Sequence, residues 1–518
     1  LEKRNLKSVK KEKGSSGITE RDDGYERELR LNVSPDGWVN PDPAPIYDLV
    51  VVGAGTAGLV AAAGAAGLGA RVALVEKHRM GGDCLNTGCV PSKCLVRSSR
   101  AVVDVRNAVL HGIQAGSTPE ADFRVVMDRM KRLRARISRH DSVSRFSALG
   151  VDVFLGEASF SGKAAVEVAG KTLRFKKAVI AAGARAAHPP IQGLARVGYV
   201  TSETVFSLKE CPPELAVIGA GHLGCELAQA FQRLGSRVTI LEKAPRLLER
   251  EDRDAAAILY KTFVFEGIGV VLGCDIREVE PAGGRKRILY RADGIDQSVE
   301  VDEILVGAGR VPNVDGLNLE SAGVDYDRTN GVIVNDFLQT ANPRIYAAGD
   351  VCLSRKFTHT ADATARIVIR NALFLGRRRL STMLVPWCTY TDPEIAHVGM
   401  YEGEALARGI RVDTFTKYLS EVDRAIVDGE EEGFVKVHVR HGTDKILGAT
   451  IVARHAGEML NEITLAMEAG VGLRKIADVI HPYPTQAEAI RQAADLYNRS
   501  RLTATVRKIL SRWLAWRK

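Results

Sequence analysis

Leu49-Val50-Val51-Val52-Gly53-Ala54-Gly55-Thr56-Ala57-Gly58 is the stretch on which the fold turns. The four apolar residues read as a strand buried on both faces, as in a parallel sheet. The glycines then make a tight turn, and an Ala/Gly-rich run to Ala70 reads as a helix. Leu49 to Ala70 is 22 residues without a charge, long enough to suggest a membrane span. The glycine turn and the next strand, Arg71–Glu76, argue instead for a βαβ unit inside a sheet protein. In such a unit Gly53 permits the turn, Gly55 lets the backbone approach a pyrophosphate, and Gly58 allows close helix–strand packing. Glu76, at the end of the second strand, is placed to accept hydrogen bonds from a ribose.

The same pattern returns once. Gly219-Ala-Gly221-x-x-Gly224 follows a strand beginning at Leu215, and Glu242 stands where Glu76 does. In both copies the acid lies 23 positions after the first glycine. One such motif is weak evidence, whereas two with strand, helix and acid in place predict two dinucleotide sites. A carboxylate at Glu242 repels a 2′-phosphate and favours NADH over NADPH, with Lys243 and Arg246 close enough to soften the preference. From about residue 386 the composition changes to strands separated by glycine and charged turns, then a helix near Gly457–Ala469. The expected architecture is α/β, with two Rossmann-like domains and a C-terminal α+β domain.

Between the two motifs lies Gly81-Gly-Asp-Cys84-Leu-Asn-Thr-Gly-Cys89-Val-Pro-Ser-Lys93. Four residues separate the cysteines, and a helix follows them. A helix N-terminus, with Lys93 one turn on, stabilises thiolate and makes the pair exchangeable. Alone, the spacing also fits a buried structural pair or half of a metal site. Its position between two dinucleotide motifs favours the exchangeable reading.

Composition narrows the class. The chain has 518 residues, 45% hydrophobic and 26% charged, with eight cysteines and a net charge of +9. That is a globular balance with room for several domains. The scattered cysteines with one short-spaced pair suggest a reducing, cytoplasmic compartment rather than a secreted framework. The start is charged and without an apolar core, so no signal peptide is expected there. It also lacks an initiator Met, as a trimmed or partial chain would. No helix-turn-helix, zinc-finger or RNA-binding signature accompanies the basic charge, and no nucleic-acid partner is expected. The basic run Lys131–Arg145 reads as a solvated helix face.

Taken together, these motifs resemble the pyridine nucleotide–disulfide oxidoreductase family, which includes dihydrolipoyl dehydrogenase, glutathione reductase and mercuric reductase. The resemblance spans roughly residues 46–490. Thr340-Ala-Asn-Pro-Arg-Ile-Tyr-Ala-Ala-Gly349-Asp350 is similar to the second FAD segment, in which the Asp binds the ribityl chain. Lys177–Gly183 and Glu303–Asn313, the latter containing Gly309, resemble the two crossover segments. Tyr390–Gly399 resembles the opening of the dimerisation domain.

The resemblance implies FAD and NADH or NADPH as cofactors and a homodimer as the assembly. It implies a polar tail over 1–45, an FAD-binding domain over 46–190 and 311–385, and an NAD(P)-binding domain over 191–310. A dimerisation domain over 386–490 and a basic amphipathic helix over 491–518 complete the expected organisation. Cys89 would be the charge-transfer thiolate nearer the flavin and Cys84 the interchange thiol, with Lys93 and Glu226 paired beside the flavin and tuning it.

One segment departs from the dithiol-specific members. These place a His before a Pro, with a Glu five positions on, supplied by the partner subunit as a proton shuttle. Here His481-Pro-Tyr483-Pro-Thr-Gln-Ala-Glu488 puts Tyr483 at that position, and His481 could serve only after a two-residue shift. A phenol with a pKa near ~10 is a poor base. A tyrosine here resembles mercuric reductases, although no cysteine follows Cys388 where those enzymes carry a vicinal pair. The expected activity is electron transfer from NAD(P)H to the Cys84–Cys89 disulfide and on to a soft metal ion or another small thiol-reactive oxidant. Dihydrolipoyl dehydrogenase is the alternative, and a membrane-surface redox sensor with little turnover is the alternative of another class.

Near the C-terminus, Val506, Ile509, Leu510, Trp513 and Leu514 share one helical face among basic residues. Such a helix suits an anionic membrane, making the protein peripheral there, or packs across its own dimer.

Overall fold

The computed structural model describes residues 24–114 and 120–517. Tyr47–Val52 occupies the middle of a parallel sheet, between Val72–Glu76 and Lys171–Ile180, with Val151–Leu155 outside. Val50 is paired with both Ala73 and Ala178, and every Val from 50 to 52 is buried. The uncharged stretch that mimics a membrane span is therefore a sheet strand followed by the helix Thr56–Gly67. No helix among the described residues is long and apolar enough to cross a membrane.

The chain leaves this sheet and returns to it. Ile345–Ala347 pairs with Ala178–Ile180, and the helix Thr358–Leu373 packs on Thr56–Gly67, sharing one apolar core. Between them stands a second parallel sheet built on Glu214–Ile218, with Arg237–Leu241 on one side and Glu303–Val306 on the other. The outgoing and returning segments meet, because Ala184–Ala186 pairs antiparallel with Arg310–Pro312. A third domain is a five-stranded antiparallel sheet, Trp387–Thr389 to Val412–Tyr418, covered by the helices Ala456–Glu468 and Glu488–Ser500.

Three expectations need correction. The tail expected over 1–45 falls partly outside the described residues, but Gly24–Val33 is a helix with Leu29 and Val33 wholly buried. It packs on the helix Phe123–Ser138, and Glu26 reaches Arg79 at 2.7 Å and Arg134 at 2.6 Å. Beyond it, Trp38 donates to the Val153 carbonyl and Asn40 bonds both backbone groups of Leu155, so this segment borders the sheet's outer strand. Two core residues one turn apart are too few to show as periodicity.

The run Lys131–Arg145 is not wholly solvated, since Arg134 is buried and also donates to the Asn86 carbonyl at 3.0 Å. The helix expected over 491–518 is two. Glu488–Ser500 buries Ile490, Ala493, Ala494 and Tyr497 in the third domain, and a break at 501–503 leads to Ala504–Trp516.

Candidate active site

A cleft of about 1700 Å³ runs between the two glycine turns and is floored by the cysteine segment. Backbone crowding explains the glycines that face the protein. A Cβ on Gly53, at φ +102°, would fall 2.4 Å from the Ala181 carbonyl oxygen. On Gly58 it would fall 1.8 Å from the oxygen of Gly53, and on Gly224 2.0 Å from that of Gly219. Gly219, at φ +100°, would bring its Cβ within 2.9 Å of Gly307. Gly221 is different, because a Cβ there would meet no atom within 4 Å. Gly55 would meet only Gly82, at 3.7 Å. Both border the cleft, as do Gly183, Gly309 and Gly349. These cradles fit two dinucleotide pyrophosphates at the N-termini of Thr56–Gly67 and His222–Leu234.

Both acids brace the glycine turn that precedes them. Glu76 accepts the N–H of Ala54 at 2.7 Å and of His78 at 2.8 Å. Burial raises its carboxyl pKa, and these two donors oppose the rise. Glu242 likewise accepts from Ala220 and, at 2.7 Å, from Ala244. Each carboxylate thus ties its strand end to its glycine turn. Oxygens with one N–H partner retain acceptor capacity for a sugar hydroxyl.

Cys84 lies in the short helix Gly82–Asn86, and Cys89 opens the 19-residue helix Cys89–Asn107. Both thiols are free, and Cys89 is exposed to the cleft. The hydrogen bond from Cys84 is the main force pulling the Cys89 thiol down to about 6. Enclosure by protein opposes it, while Thr358, whose Oγ1 lies 3.3 Å away, and the charge of Lys93 add to it. Cys84 is pushed up by the same shared proton. Two neighbouring sulfurs are thereby unlike: one holds a proton and the other gives it up.

Lys93 Nζ lies 2.7 Å from Oε2 of buried Glu226, the other oxygen of which accepts the Tyr390 N–H at 2.9 Å. Burial works against the ammonium, but Glu226 outweighs it and holds Lys93 above its ordinary pKa. The ammonium also sits 4.5 Å over the Tyr390 ring. Across the floor, Arg310 pairs with Asp83 and lies 3.5 Å from Asp350. Burial raises Asp350, opposed by Arg310 and Lys356.

Thr358, Asp83 and Tyr390 were not singled out from the sequence. Thr358 stands 269 positions from Cys89 in a segment with no motif of its own. Asp83 adjoins Cys84, and Tyr390 follows the first strand of the third domain. Neighbourhood was the only signal for either.

Tyr483 is not among the residues lining the cleft. It projects from the third domain, 70% exposed, after a turn that ends in a cis Tyr483–Pro484 bond. Its hydroxyl donates to Asp423 at 3.0 Å, which raises the phenol pKa. His481 points elsewhere, with Nε2 at 3.0 Å from Glu462 and Nδ1 at 3.0 Å from the Val479 carbonyl. Glu488 begins its helix and pairs with Arg491 at 2.6 Å.

Two nucleotide cradles meeting over a cysteine pair define a flavin-dependent disulfide oxidoreductase. The chain belongs to the pyridine nucleotide-disulphide oxidoreductase family: residues 47–365 match its nucleotide-binding model and 385–494 its dimerisation domain. The family binds FAD and a pyridine nucleotide, and the dimerisation domain supports a homodimer. A mercuric reductase of Staphylococcus aureus is 38% identical over 448 residues, covering 86% of this chain and 82% of that enzyme. A dihydrolipoyl dehydrogenase of Thermus scotoductus is 35% identical over 457 residues, covering 87% and 97%. Among solved structures, the Cu(II) complex of the HOCl-induced flavoprotein disulfide reductase RclA from Escherichia coli superposes with a TM-score of 0.77. It is 28% identical and covers 86% of this chain and 98% of that one.

Proposed function

We propose that the chain passes electrons from NADH to the Cys84–Cys89 pair and from there to a soft metal ion or another small thiol-reactive oxidant. Bound FAD would supply the relay between the nicotinamide and the disulfide. The protein's own contribution is to hold the two sulfurs in different protonation states. Cys89, with its pKa lowered to about 6, stays thiolate at neutral pH beside the Lys93 charge. Cys84 keeps the proton until the acceptor takes its place. Asp350, Glu76 and the first glycine turn would hold FAD, and Glu242 with the second would hold the nicotinamide cofactor. Arg246 is occupied, since its guanidinium donates to the carbonyls of Glu249 and Glu251. Those donors are therefore engaged with backbone and not free for a 2′-phosphate, which supports NADH over NADPH, with Lys243 left to soften the preference.

The observation that carries the choice of acceptor is Tyr483. Its hydroxyl proton is already committed to Asp423 and its pKa is raised, so it donates a hydrogen bond but does not take a thiol proton. A dithiol substrate needs a base there, whereas a soft ion needs only sulfur. The mercuric reductase relatives and the Cu(II) complex of RclA support the same reading.

The test is anaerobic reduction of the FAD-loaded enzyme with NADH, followed by alkylation and peptide mapping. Two newly alkylated thiols at Cys84 and Cys89 are expected. An acceptor panel of Hg(II), Cu(II), lipoamide, glutathione disulfide and quinones then follows. Rapid lipoamide turnover would overturn the choice of acceptor, and failure to unmask the two thiols would overturn the whole reading.

A further inference from the structure

Ala504–Trp516 is the one α-helix among the described residues that buries none of its side chains. It is a well-formed helix, begun by Thr503, whose hydroxyl accepts the Val506 N–H at 3.3 Å. Thirteen residues make it about 20 Å long. Val506, Ile509, Leu510, Trp513 and Leu514 follow the i, i+3, i+4, i+7, i+8 pattern of a single face. Their exposures run from 37% at Val506 to 62% at Leu514. Trp516 stands at the edge of that face, its ring 5.3 Å from that of Trp513. A continuous exposed apolar face of this kind marks an interaction surface.

Charge says what that is. After Asp495 the chain carries seven cations and no acid: Arg499, Arg501, Arg507, Lys508, Arg512, Arg517 and Lys518. Lys508 and Arg512 lie on the helix side away from the apolar stripe, and Arg507 flanks it. A second copy of the helix could cover the apolar face but would leave the cations unpaired, since the stretch carries no acid to meet them. An acidic, apolar layer is the matching surface, and an anionic bilayer supplies both features at the depth of a helix lying in its plane. Trp513 and Trp516 suit the boundary between headgroups and acyl chains, and the basic residues suit the headgroups.

We propose that residues 504–517 bind an anionic lipid surface, with the apolar face of the helix inserted and its cations on the lipid headgroups. The helix thereby holds this enzyme at a membrane, whatever its electron acceptor.

Co-sedimentation of the full FAD-loaded chain with phosphatidylcholine vesicles, with and without phosphatidylserine, tests this. Binding is expected only with phosphatidylserine, weakening as salt is raised. Trp513→Ala with Leu514→Ala, and separately R507E with K508E and R512E, should each weaken it by at least about tenfold. NADH-dependent reduction in solution should not change in either variant, which separates loss of lipid binding from misfolding. Equal binding to neutral vesicles, no binding, or unchanged binding by both variants would overturn the proposal. So would conversion of the dimer to monomer by the Trp513/Leu514 variant in light scattering without any lipid, since the face would then cover a second copy.

Discussion

Lys93 Nζ and Glu226 Oε2 lie 2.7 Å apart, joining the helix that begins with Cys89 to the helix that follows the second glycine turn. The pair links the helix that Cys89 opens to the glycine turn of the second parallel sheet. Glu226 is only 3% exposed, and a buried carboxylate left without its partner is costly. The two charges act on Cys89 in opposite senses: Lys93 lowers its pKa and Glu226 raises it.

Removing the cation should therefore raise the Cys89 pKa. In the reduced enzyme, alkylation of Cys89 by iodoacetamide should be half-maximal near pH 6, following the lowered value of about 6. Thiolate is present above that pH and lost as the pH falls through it. Lys93→Met should move the midpoint upward, toward the free-thiol value near ~8.5. A one-unit rise cuts the thiolate about tenfold below the midpoint. An unchanged alkylation profile would contradict the role given to Lys93.

Glu242→Gln removes a charge while preserving shape. A charge-assisted hydrogen bond contributes about 1.5–3 kcal/mol, so KM for NADH should rise by about tenfold or more. KM for NADPH should rise less or fall, because the repulsion of a 2′-phosphate is relieved. Steady-state kinetics with both cofactors measures this.

Tyr483→His introduces a base where the native phenol has none. Dihydrolipoamide oxidation should rise by about a hundredfold. The rise should depend on pH through the imidazole range, whereas reduction of Hg(II) or Cu(II) should not gain. High turnover of dihydrolipoamide by the native enzyme would contradict the reading of Tyr483.

Leu29→Ala tests whether the first described helix belongs to the FAD-binding domain. Leu29 is wholly buried against that domain's core, and its truncation should cost about 2–5 kcal/mol. Urea unfolding followed by flavin fluorescence should show an earlier midpoint. The Cys89 alkylation profile of the folded enzyme should not move.

The parts legible in the sequence share one property: local geometry forces their residues. Gly53, Gly58, Gly219 and Gly224 have no room for a Cβ, and the 23-residue spacing to Glu76 and Glu242 follows from the length of one helix and one strand. The cysteine spacing is equally local. By contrast, Leu29 and Val33 carry too little pattern to separate a packed helix from a polar tail. The break at 501–503 was hidden because the basic, amphipathic character of the chain runs on both sides of it.

By itself the sequence determined two nucleotide folds, a cysteine pair at a helix start and a tyrosine where a base is expected. Only the tertiary structure decided what surrounds those sulfurs. Thr358 reaches Cys89 across 269 positions, and Arg310 reaches Asp83 across 227. From the third domain, Tyr390 gives its N–H to Glu226 and sets its ring 4.5 Å from the Lys93 ammonium. The electrostatics of a thiol depend on charges and donors within a few ångströms. Cys84, the largest influence on the Cys89 pKa, and Lys93 are its near neighbours in the chain, whereas Thr358, which lowers it, and Glu226, which raises it, come from segments that only the tertiary fold brings there.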